Sequence, residues 1–147
     1  MSRVGTLRRV LLLIPGALAV VALFATMPAG AVAGFGAVDD ADFFAGPVQW
    51  MVAEGLTTGP TSGCFSPHDE VTRAQAVTFL WRVEGEEPER GSPFGDVRHD
   101  WARTAVAWAA SEGVTTGVSP TRFAPDRPVT RAEVVTFMWR CLLYTSP

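Results

Sequence analysis

Arg73 and Arg131 each follow a threonine, and each threonine stands three residues before a glutamine or glutamate. Thr72-x-x-Gln75 and Thr130-x-x-Glu133 have the form of a capping box, in which hydroxyl and carboxyl (or amide) satisfy each other's backbone N–H at a helix start. Each arginine therefore falls at N1, the first helical residue. A cation there opposes the helix dipole, at a cost of about 0.3–1 kcal/mol. Two readings fit. Free amides and a planar guanidinium converging on one point make an anion seat. A salt bridge to a nearby acid, such as Asp96 or Asp126, explains the same placement.

The aromatic and glycine pattern extends the first reading. Trp50, Trp81, Trp108 and Trp139 recur in register, and Trp101 stands opposite Phe43. Trp81 and Trp139 lie on an apolar helix and are expected in the core. Trp50 and Trp108 are expected to be more open. An aromatic face stacks on a sugar ring, so a groove combining arginine and tryptophan suits an acidic glycan. Gly59 and Gly117 close the Thr-Thr-Gly turns at 57–59 and 115–117. Each permits close approach by a ligand or supplies a positive φ.

Signatures of catalysis and metal binding are missing. His68 and His99 occupy non-equivalent places in no metal-spaced or triad-like set, and read as solvated loop histidines. Asp39, Asp40 and Asp42 lack the spacing of a calcium loop and read as a polar helix entry. No catalytic residue, metal ligand or cofactor is expected. Every basic side chain is an arginine, the formal net charge is −3, and no basic patch appears, which argues against nucleic acid.

These residues are positioned by a duplication. Asp42–Val83 and Asp100–Cys141 align without gaps at an offset of 58, with 19 identities in 42 pairs. A fixed period of this size marks a repeat architecture, and a unit of this length folds poorly alone. Each repeat reads as helix, loop, helix. In the second copy Asp100 is a candidate N-cap, Trp101, Ala105, Trp108 and Ala109 share one face, and Gly113 is a C′ stop. In the first copy Gly55 is the stop, and Pro47 suggests a helix that starts near that proline. Val134, Val135, Phe137, Met138, Trp139, Cys141 and Leu142 make the second helix apolar on most of its circumference. Such a helix is usually central, with the first helix packed outside it.

Residues 1–33 read as an export signal. Arg3, Arg8 and Arg9 form a basic start, Val10 to Phe24 an apolar run, and Ala31-Val32-Ala33 a small-residue cleavage site. The alternative is a retained membrane anchor, although the run is short against the ~20 residues that span a bilayer. Any membrane contact is expected only through this segment. Its removal leaves 9 arginines against 15 acids, an acidic secreted chain. Export permits a disulfide between Cys64 and Cys141, which are not repeat-equivalent. The expected divisions are 34–83 for the first repeat, 84–93 for an acidic Pro/Gly linker, 94–142 for the second repeat and 143–147 for an atypical tail.

Phe94-Gly95-Asp96-Val97, Trp101, Ala105-Val106, Trp108, Gly113 to Gly117, Phe123-x-Pro125-Asp126 and Val129 to Glu133 together resemble the S-layer homology (SLH) repeat, whose best-known signature is Thr-Arg-Ala-Glu. The resemblance covers nearly the whole chain after the signal. It implies an all-α fold of tandem helix-loop-helix repeats around a central helical bundle. Such repeats typically come in threes, so two imply an incomplete pseudo-threefold unit whose grooves are completed by another chain or by further sequence. It also implies a non-enzymatic cell-wall anchor at the cell surface that binds an acidic secondary cell-wall polysaccharide, with Arg73 and Arg131 leading and Gly59 and Gly117 second. Alternatives are a module assembling with other surface-layer proteins and the targeting part of a larger secreted enzyme. Gln75 in place of the motif glutamate and Ala37 opposite Asp96 depart from the pattern.

Overall fold

A computed structural model describes residues 32–85, 87–88 and 91–144. The export signal over 1–31, the tail at 145–147 and linker positions 86, 89 and 90 lie outside the described residues. A 3-10 turn at Val32–Gly34 precedes four helices: α1 (Ala45–Ala53), α2 (Arg73–Glu84), α3 (Asp100–Ser111) and α4 (Arg131–Tyr144). Among the described residues there are isolated bridges but no strands, as an all-α class requires.

Helix boundaries follow local chemistry. Pro47 is the third residue of α1, inside the first turn, where the missing N–H costs nothing; the helix therefore starts two residues before the expected place. Gly55 takes φ +70° just past its end, and the Gly55 and Leu56 amides donate back to Val52 O and Met51 O. This is a Schellman closure. Both capping boxes form. Thr72 and Gln75 exchange bonds at the start of α2, and Thr130 and Glu133 do so at α4. At α3 the cap position is His99, and Asp100 is the first helical residue.

The helices of one repeat are joined to each other less than the repeats are. α2 packs most extensively on α3, the first helix of the following repeat, and also touches α4. Ala74 and Val77 of α2 join Ala102, Val106, Trp108, Ala109, Val114, Phe123 and Phe137 in the main core. A second, smaller cluster gathers Val32, Phe35, Val38, Ala45 and Val48 around α1.

The expectation that the second helix of each repeat is the core, with the first outside it, is overturned in the second repeat. α3 is the most enclosed helix, buried at Ala102 and from Ala105 to Ala109, while α4 exposes Val135, Met138, Trp139, Leu142 and Leu143. Trp108, expected to be open, is 2% exposed, and Trp139, expected in the core, is 60% exposed. The reason is the joint between repeats. α3 receives α2 on the face that carries Trp108, whereas among the described helices α4 is in contact with α2 alone. Cys64 and Cys141 are not bridged; Cys141 Sγ lies 3.4 Å from Glu84 Oε1.

Candidate functional site

Arg73 leaves its own repeat and enters the next one. Its Nε donates to Phe123 O at 3.0 Å and its Nη1 to Glu133 Oε1 at 2.7 Å. The guanidinium carbon lies 4.9 Å from the Phe123 ring centroid and 5.2 Å from that of Phe137. The side chain is thus held between two aromatic faces, an arrangement favourable for a cation, and the residue is only 2% exposed. Burial pushes its pKa down, with Arg127 adding to that and Glu133 opposing it. The salt-bridge reading of the sequence is therefore realised for Arg73, with Glu133 as partner instead of Asp96 or Asp126.

The amides of the α2 start are also spoken for. Arg73 N donates to Arg127 O and Ala74 N to Pro125 O, while Val129 N donates to Val71 O. Gln75 N is taken by the Thr72 hydroxyl. Free amides are thus not available at α2, which corrects that part of the anion-seat expectation.

Glu133 accepts from three residues at once. Oε2 accepts from Thr130 N and the Thr130 hydroxyl, and Oε1 from Arg73 and Arg127. Burial raises its pKa, but these donors outweigh that and hold the carboxyl below its usual range. Asp96 has a parallel task. It accepts from Phe123 N at 2.9 Å and Ala124 N at 2.8 Å, fixing a loop in which Ala124 has φ +59°. Burial pushes the Asp96 carboxyl up, and the two amides, helped by Arg122, bring it below the ordinary value. Ala37 offers no such anchor to the first repeat.

Each Thr-Thr-Gly turn is built in the same way. The first threonine is buried and its hydroxyl accepts from the glycine amide, Thr57 from Gly59 and Thr115 from Gly117. The second threonine, Thr58 or Thr116, is exposed. Gly59 and Gly117 have φ +73° and +75°, and a Cβ on Gly117 would stand 2.5 Å from Phe94 Cε1 and 2.6 Å from Arg122 O. The close approach that demands glycine comes from the chain's own loop. Below each turn an arginine missed as a candidate reaches back: Arg82 Nη1 donates to Leu56 O and Arg140 Nη1 to Val114 O. These arginines recur nine residues after Arg73 and Arg131, half a helical period out of phase, so α2 sends one arginine forward into the next repeat and one back to its own turn. That spacing was visible in the sequence.

Among the described residues, a cavity lies beside each turn. The smaller, about 220 Å³, is lined by Arg73 from the first repeat and by Thr115, Thr116, Gly117, Ala132, Glu133, Thr136, Phe137 and Arg140 from the second. The larger, about 550 Å³, is lined by the repeat-equivalent Thr57, Thr58, Gly59, Gln75, Thr78, Phe79 and Arg82, with Phe65, Asp69, Glu70 and Trp101 among the others. The structure thus brings Arg73 and Gly117 together and sets Gly59 in the other cavity. Arg131 is exposed at the start of α4 and forms no ion pair among the described residues. Trp50 is 54% exposed on α1, Trp108 is buried, and neither lines either cavity. His99, expected to be merely solvated, meets Asp126 at 2.6 Å. Among the described residues no group of three or more His, Cys, Asp or Glu is arranged to hold a metal ion.

The S-layer homology domain model matches residues 38–77 and 93–135, one segment per repeat. The chain belongs to the S-layer homology family. Among its relatives, a surface-layer 125 kDa protein of Lysinibacillus sphaericus is 37% identical over 58% of this chain and 7% of its own length. An endoglucanase of a Bacillus species is 36% identical over 66% of this chain and 10% of that enzyme. A cell surface protein of Thermoanaerobacter kivui is 31% identical over 85% of this chain and 18% of its own length. The chain thus spans less than a fifth of each of these relatives. SLH repeats and these surface-layer relatives assign it to the cell surface or cell wall, in an anchoring role.

Proposed function

We propose that the two SLH repeats anchor the protein non-covalently by binding an anionic secondary cell-wall polysaccharide, without catalysis. The observation that supports this most is the convergence of Arg73 and Arg140, from different repeats, on one cavity of about 220 Å³ beside Thr116 and Gly117. Arg73 spends one Nε–H and one Nη1–H on its own protein, so donors of its fork remain for a carboxylate or ketal oxygen. Thr116 adds a hydroxyl suited to a sugar. Arg131, exposed on α4, is a second contact for the same polymer, and Gly59 with Arg82 and Trp101 offers a further sugar subsite. Trp50 can stack on a sugar from its exposed place on α1.

Retention on purified cell wall, before and after chemical removal of its polysaccharide, tests the proposal. Binding is expected to vanish on stripped wall and to fall with Arg140→Ala. Retention unchanged by stripping would sink the glycan reading. A second reading, the targeting part of a larger secreted enzyme, is supported by the endoglucanase relative, of which this chain matches only 10%.

A further inference from the structure

The joint between the repeats exists once inside the chain, and the equivalents of both of its halves occur a second time with residues exposed among the described ones. We propose that a second copy of this chain docks head to tail, the α4 end of one copy entering the larger cavity and α1 face of the next.

The first half is α4. Arg131, Val135, Met138 and Trp139 are the repeat equivalents of Arg73, Val77, Leu80 and Trp81. On α2 those residues meet the next repeat or the main core. On α4 all four are exposed. Arg131 N and Ala132 N, equivalents of the two amides capped by Arg127 O and Pro125 O, donate to no backbone carbonyl among the described residues.

The second half is the first repeat's loop and α1. Subtracting the repeat offset from the second-repeat lining of the smaller cavity gives eight residues, of which seven, including Thr57, Gly59, Gln75 and Arg82, line the larger one; Ala74 does not. What the larger cavity lacks is the arginine that Arg73 supplies to the smaller, and its volume is about 550 Å³ against about 220 Å³. α1 repeats α3, yet Pro47 and Trp50 are exposed where Ala105 and Trp108 are buried, Trp108 in one cluster with Ala74 and Val77 of α2.

The charges agree with an arginine as the occupant. In the occupied cavity Arg73 meets Glu133, which also holds Arg127. In the larger one Gln75 replaces Glu133 and Asp69 replaces Arg127. The carboxylate has moved to the neighbouring contact position, and Glu70 lies beside it on the same rim. An arriving Arg131 thus exchanges a seat with one acid and a competing arginine for a seat with acids and none. Pro67 and Asp69 are the repeat equivalents of Pro125 and Arg127, whose carbonyls take the Ala74 and Arg73 amides, so their carbonyls are the counterparts for the Ala132 and Arg131 amides. Such a contact is heterologous, so it forms dimers and, where the rotation does not close, longer chains. It also completes the larger cavity with a second pair of arginines, Arg131 and Arg82. That consequence rests on the glycan reading; the docking itself does not.

Sedimentation equilibrium of the purified chain, without any polysaccharide, tests the docking. The chain is expected to self-associate in a concentration-dependent way. Arg131→Glu and Asp69→Arg, both exposed and remote from the core, are each expected to weaken association by at least about tenfold. A one-to-one mixture of the two variants is expected to recover it, because one of its joints carries the native Arg131 and Asp69 and the other the exchanged pair. A chain that stays monomeric at every concentration, variants that associate as tightly as the parent, or a mixture no better than its components would each overturn the proposal. Failure of wall binding with intact association would strike only the glycan reading.

Discussion

Arg73 Nη1 lies 2.7 Å from Glu133 Oε1, so the N1 arginine of one capping motif is neutralised by the N3 carboxylate of the other. One contact thereby ties two helix starts and two repeats together. Glu133 is the cap partner of Thr130 and the counterion of Arg73 at the same time.

Glu133→Gln separates those two tasks. Gln75 demonstrates that an amide serves in a capping box, so the cap survives and the counterion is lost. A destabilisation of about 1–2 kcal/mol is expected in urea unfolding, because Arg73 stays buried with its charge uncompensated. A change within about 0.3 kcal/mol would show that the ion pair contributes little beyond the cap.

The two motif arginines are expected to behave in opposite ways. Arg131→Ala, at an exposed residue, should alter stability by less than about 0.5 kcal/mol while weakening retention on cell wall. Arg73→Ala removes the Glu133 pair and the contacts with Phe123 and Phe137, and should cost on the order of 3 kcal/mol. Thermal unfolding alongside wall retention checks both. Equal losses of stability in the two variants would contradict the asymmetry of the joint.

Acid should open the second repeat. The carboxyls of Asp96 and Glu133 both have pKa values held below their ordinary range. The unfolded chain, with carboxyls titrating near 4, then binds protons before the folded one does. Their stabilisation is complete above that pH and is lost as pH falls through the depressed folded values. Asp96→Asn should flatten the dependence of melting temperature on pH below about 4. A profile as steep as the parent's would count against Asp96.

Gly117→Ala and Gly55→Ala distinguish backbone strain from lack of room. Both glycines have positive φ, but a Cβ on Gly55 meets nothing within 4 Å, whereas one on Gly117 collides with Phe94, Arg122 and Ser119 atoms. Gly55→Ala should cost about 1 kcal/mol, the left-handed penalty alone. Gly117→Ala should cost at least about 2 kcal/mol more by overpacking, measured by chemical denaturation. Equal costs would mean that the loop shifts freely.

The sequence by itself determined the duplication, the all-α class, both capping boxes, the Gly55 and Gly113 stops and the family. Each of these is written in contacts a few residues apart or in a period that survives without three-dimensional information. Trp108 and Trp139 mark the limit. They stand on helices with apolar residues on several sides, and pattern alone could not say which side a neighbour would cover. α2 crosses to α3, so Trp108 is enclosed and Trp139 is not. The same crossing decided that Arg73 is buried against Glu133 while Arg131, set in the same Val-Thr-Arg-Ala run, stays open. Local chemistry sets where a helix begins and ends; which of its faces is desolvated depends on a partner far along the chain, and only the tertiary structure supplies that partner.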